Sequence, residues 1–104
     1  MTKLAYVFPG QGSQSVGMLS DIESSAAETF AEASAVVGYD LWKLISHDAD
    51  YRLDKTEYTQ PAMLASSIAL YRLAQKEGIP APHVVAGHSL GEYSALVCAG
   101  AMAF

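Results

Sequence analysis

Two glycine-rich corners carry the residue types that could do chemistry. In "GHSLG" (87–91), Ser89 has Gly87 two residues before it and Gly91 two residues after, the spacing of a nucleophile elbow. A serine at the tip of a strand-to-helix turn takes a backbone conformation unusual for a residue with a Cβ, and projects its hydroxyl outward. The flanking positions must lack side chains so that strand and helix can approach each other. The N–H of Leu90 then stands at the start of the following helix and faces any oxyanion formed at Ser89. The same five residues also read as a tight turn with Ser89 as a plain helix N-cap.

Acyl transfer needs a second oxyanion donor from another loop. "PGQGSQ" (9–14) offers one: Gly10 and Gly12 let its backbone come close, and Gln11 carries both a peptide N–H and a carboxamide. A phosphate-cradling loop is the competing reading, but the P-loop lysine and the full G-x-G-x-x-G spacing are missing. Taken by itself, the stretch reads as a turn. A serine also needs a base, and none of the three histidines is placed to serve. His88 adjoins Ser89, so their side chains diverge; it is expected to be buried and hydrogen-bonded in the turn. His47 lies in "SHDAD", expected to be a solvated loop rather than a metal site, and His83 opens a strand after Pro82. The single cysteine, Cys98, falls in an apolar helical run and reads as a buried, inert thiol.

The elements that must position these corners follow from periodicity. "LAYVF" (4–8) is a short apolar run ending at Pro-Gly, a buried strand. Ser25 and Glu28 have capping-box spacing. The helix they open has Ala26, Phe30, Ala33 and Val37 on one face and closes at Gly38. "DLWKLI" (40–45) is a short helix capped by Asp40, and residues 46–58 are polar and turn-like. In "TQPAMLASSIALYRLAQKEG", Thr59 or Gln60 caps a helix with Pro61 in its first turn and Gly78 at its end. Arg72 is its only strongly polar side chain between 62 and 74, so this helix is expected to be buried nearly all round. "HVVA" (83–86) is the strand that feeds the serine corner. Strand, helices, strand and helix in that order imply a parallel α/β sheet. Two strands do not complete such a sheet, and residues 1–104 are expected to be the front part of a larger domain.

Composition narrows the partners. The chain has 104 residues, 51% of them apolar and 16% charged, with a net charge of −5. Its six basic residues are scattered, which argues against nucleic acid. No apolar run approaches the ~20 residues that span a bilayer. No membrane association is expected, and a cytoplasmic location is the default expectation.

"YVFPGQGSQSVGM", "YTQPAMLASSIALYRL" and "VVAGHSLGEYSALVCAG" together resemble the malonyl-CoA:acyl carrier protein transacylases of bacterial fatty acid synthesis. These belong to the acyltransferases, as do the acyltransferase domains of polyketide synthases. The resemblance spans essentially the whole chain. It implies an α/β-hydrolase-like parallel-sheet domain, of which residues 1–104 would be the N-terminal part of the large subdomain. The ferredoxin-like small subdomain would lie outside them. By position it implies Ser89 as nucleophile, Gln11 and Leu90 as oxyanion-hole donors, and His88 and Gln60 near the site. It implies malonyl-CoA and acyl carrier protein as partners and no metal or redox cofactor. The histidine base and the arginine that meets the malonyl carboxylate would lie downstream, so the segment alone is expected not to turn over. It is also expected to be poorly soluble, because a partial parallel sheet leaves an edge uncovered. Two other readings stand beside it: a serine hydrolase of α/β-hydrolase type, and a truncated acyltransferase segment that only binds a partner.

Overall fold

A computed structural model describes residues 3–48 and 52–104. Strand β1 (Ala5–Phe8) is followed by a 3-10 turn (Ser20–Ile22) and three helices: α1 (Glu23–Val37), α2 (Leu41–Ser46) and α3 (Thr56–Lys76). Strand β2 (Val84–Gly87) and helix α4 (Gly91–Cys98) complete the order. The strands pair in parallel, with Ala5 opposite Val84 and Phe8 opposite Gly87. This is the expected α/β arrangement. A parallel pair needs a long crossover, and α1, α2 and α3 supply it.

The core lies among the helices. Phe30 of α1, Leu41 and Ile45 of α2, and Ala62, Ala65 and Ala69 of α3 are buried in one cluster. Phe30 meets Trp42 edge to face at 5.1 Å. Each large apolar side chain fully buried there contributes roughly 1.5–3 kcal/mol. Residues 65–69 of α3 are all buried, more than one full turn, but Leu70 is 47% exposed and residues 71–74 are half-buried, so the expected all-round burial holds only for the middle of the helix. Arg72, the polar exception, ties α3 to α1 by donating to Thr29 Oγ1 at 3.1 Å and Glu32 Oε2 at 2.9 Å.

Three expected boundaries shift. Ser25 does not cap α1: the 3-10 turn runs directly into the helix at Glu23, so Ser25 falls inside its first turn. Neither Thr59 nor Gln60 caps α3, and Pro61 is not in its first turn. The helix starts at Thr56 because the Lys55 carbonyl, in an extended residue, gathers the N–H groups of Tyr58 (2.9 Å) and Thr59 (2.8 Å). Thr59 is fully buried, and its hydroxyl donates to the carbonyls of Leu53 and Lys55. Pro61 costs one hydrogen bond, to the carbonyl of the exposed Glu57, which water can satisfy. The segment read as polar and turn-like also delivers a core residue. The Asp48 carboxylate accepts from the N–H groups of Arg52 (2.6 Å) and Leu53 (3.0 Å), and Leu53 is buried. Asp40 caps α2 as expected, accepting from Lys43 N at 3.0 Å.

The sheet has one bare face. Ala5, Val7, Val84 and Ala86 alternate with the residues that face the helices, and Val7 is 75% and Val84 62% exposed. Parallel sheets are normally covered on both faces.

Candidate active site

The two glycine corners meet. A Cβ placed on Gly87 would lie 2.0 Å from the carbonyl carbon and oxygen of Gly91. One on Gly91 would lie 2.2 Å from the Phe8 oxygen, and one on Gly10 would lie 2.5 Å from the His88 oxygen. Real Cβ atoms do not tolerate such distances, so only glycine lets β1, its following loop, β2 and α4 converge here. Gly12 was expected to serve close approach as well. It does not: nothing lies within 4 Å of its Cβ position, and its role is a φ of +115° in the loop.

Ser89 sits at this convergence with φ +55°, the left-handed region that costs a residue with a Cβ about 1–2 kcal/mol. Its side chain is exposed. Leu90 is the N-cap residue of α4. The helix begins with Gly91 N donating to His88 O at 2.9 Å and Glu92 N to Ser89 O at 3.0 Å. Among the described residues, no hydrogen bond takes the N–H of Leu90 or of Gln11. One of these two donors follows Ser89 directly at the N-terminus of α4, and the other belongs to the residue after Gly10, which packs on His88.

His88 departs from expectation. It is exposed, not buried, and the turn's hydrogen bonds run through its backbone: the N–H donates to Phe8 O at 3.1 Å, and the carbonyl packs on Gly10. His83 is structural as expected, with its Nδ1 accepting from Leu4 N at 3.0 Å. His47 is exposed at the end of α2. Asp48 beside it spends its carboxylate on backbone N–H groups, and Asp50 of the same stretch lies outside the described residues. No group of metal-binding side chains forms among the described residues. Cys98 is half-buried; burial pushes its thiol up, against a smaller lowering by the Tyr71 hydroxyl.

The Acyl transferase domain family matches residues 5–104. The chain belongs to the acyl transferase family. Over its whole length this acyl transferase segment is 60% identical to the malonyl CoA-acyl carrier protein transacylase of Escherichia coli K12 and 56% identical to that of Haemophilus influenzae. It spans 35% of the length of each. The transacylase of Coxiella burnetii superposes on 98% of it with a TM-score of 0.95 at 50% identity, matching 33% of that chain. A malonyl-transacylase solved with a type II polyketide synthase acyl-carrier protein gives a TM-score of 0.91 at 56% identity over 95% of the segment and 33% of that chain. Among the described residues no helix is long and apolar enough to cross a membrane.

Sequence reasoning missed the groups that hold the first corner. The Thr56 hydroxyl accepts from Gln11 Nε2 at 3.0 Å and is 3.3 Å from Gln11 Oε1. Gln14 accepts from Gly12 N at 2.7 Å and donates to Asp54 Oδ1 at 2.8 Å. A glutamine three residues after another, in a loop too polar to be core, was the available signal. Gln60 is exposed one helical turn beyond Thr56.

Proposed function

We propose that this segment supplies the nucleophile half of a malonyl-CoA:acyl carrier protein transacylase, working in the cytoplasm in fatty acid synthesis. The observation that carries the reading is Ser89 at positive φ on a glycine-walled corner, with the Gln11 loop packed against it. The Ser89 hydroxyl attacks the thioester carbon of malonyl-CoA, its proton passing to a base. The N–H groups of Gln11 and Leu90 stabilise the oxyanion. The carbon–sulfur bond breaks, and CoA leaves with a proton returned by the base. The phosphopantetheine thiol of acyl carrier protein then gives its proton to the base and attacks the malonyl ester, and Ser89 departs reprotonated. Splitting one exchange between two bulky carriers into two steps at one serine is the gain of covalent catalysis. No metal or redox group enters this scheme.

The base comes from outside residues 1–104 in this reading. His83 is occupied at the strand start, His47 stands at the far end of α2, and His88 adjoins the nucleophile. The purified segment alone is therefore expected to show no steady malonyl transfer. In the full polypeptide that carries it, intact mass after exposure to malonyl-CoA should show one malonyl adduct that Ser89→Ala abolishes. Transfer to acyl carrier protein should discharge that adduct. Preference for a nitrophenyl ester over malonyl-CoA would point to a hydrolase instead, and an unmodified protein would sink the reading.

A further inference from the structure

We infer that Thr56 is a positioning residue for the oxyanion donor, acting through the side chain of Gln11; the inference rests on the reading of the Gln11 N–H given above. The loop 9–14 meets the elbow by packing, Gly10 against His88 and Gly91 against Phe8 and Pro9, and the chain entering it is pinned by the hydrogen bond from His88 N to Phe8 O at 3.1 Å. These contacts fix where the loop starts, at Phe8 and Gly10, and make no hydrogen bond to Gln11 itself. Two carboxamides restrain the stretch beyond that point. Gln11 reaches Thr56, the first residue of α3, and Gln14 reaches Asp54 while holding the N–H of Gly12. Their anchors flank Lys55, whose carbonyl starts α3, so both straps end on a point fixed by the helical core.

The arrangement separates the two polar functions of Gln11. Its carboxamide is engaged by Thr56, and its peptide N–H is left without a partner among the described residues. An oxyanion donor works only if its direction is set before charge develops. A misdirected donor costs in the transition state and not in substrate binding, so the strap should act on kcat and leave KM alone. Gln14 shares the restraint, so losing the Thr56 contact weakens the geometry without releasing the loop.

The test uses the full polypeptide that carries this segment. Thr56→Val keeps the side-chain shape and removes the hydroxyl, and is expected to lower kcat for malonyl transfer about threefold to tenfold. KM for malonyl-CoA stays within about twofold, the pattern of an interaction felt mainly in the transition state. Thr56→Ser should restore kcat. Gln11→Ala, which keeps the peptide N–H, should match Thr56→Val, and the double variant should be no slower than either. Multiplying losses in the double variant, a kcat for Thr56→Val equal to wild type, or a loss that Thr56→Ser fails to rescue would each overturn the inference. If the wild-type polypeptide transfers no malonyl group at all, the functional reading fails separately. Amide exchange over residues 9–14 then decides the strap: faster in Thr56→Val but not in Thr56→Ser upholds it, and equal rates in all three overturn it.

Discussion

Replacing Gly87 by alanine tests the steric logic of the serine corner. The added methyl would lie 2.0 Å from the carbonyl carbon and oxygen of Gly91 and 2.4 Å from the N of Glu92. It must recede by about 1.4 Å to reach ordinary contact near 3.4 Å. Every atom it meets is backbone at the start of α4, so no rotamer change can relieve it. Overpacking of this kind costs about 1–3 kcal/mol, and the rigid surroundings place Gly87→Ala near the top of that range. Gly38→Ala is the control: its φ is +86° with nothing within 4 Å of the Cβ position, so only the left-handed strain of about 1 kcal/mol applies. Urea denaturation of the full polypeptide should therefore separate the two variants by about 1–2 kcal/mol. Because β2 and α4 flank Ser89, the same shift of about an ångström should slow formation of the Ser89 malonyl adduct on the order of 100-fold. A Gly87→Ala protein as stable as Gly38→Ala, with an undiminished rate of adduct formation, would refute the claim that the corner needs glycine for close approach.

Three further outcomes follow from the same coordinates. Ser89→Gly relieves the strain at φ +55° and should raise the unfolding free energy measured in urea by about 0.5–1 kcal/mol after allowing for glycine's looser unfolded state, while abolishing the malonyl adduct. Asp40→Ala removes the carboxylate that accepts from Lys43 N and should cost about 1 kcal/mol in the same melt; an unchanged midpoint would mean that water replaces the cap. Burial pushes the Cys98 thiol up, so at pH 8 it is mostly neutral, and the thiolate is the reactive form. Iodoacetamide should label it more slowly than a small-peptide thiol and faster as the pH rises through 9, and labelling at the free-peptide rate would contradict the burial.

The parts of this protein readable from the chain itself are those governed by local rules. A run of β-branched and aromatic residues ending at Pro-Gly, an Asp before "LWKLI", a glycine closing each of α1 and α3, and glycines two residues either side of Ser89 act through neighbouring dihedrals and periodicities. These suffice for the order of elements, the parallel pairing and the elbow. What only the tertiary structure decided involves groups distant in sequence. Gln11 and Thr56 are 45 residues apart, and no periodicity links them. Leu53 is buried and its N–H is held by the Asp48 carboxylate, and Pro61 falls inside α3 because Lys55 starts the helix before it. His88 is exposed, and it is its backbone that the turn holds. The convergence of Gly10, Gly87 and Gly91 is the deepest case. Each glycine is locally permissive, and the need for it is set by a backbone arriving from another part of the chain.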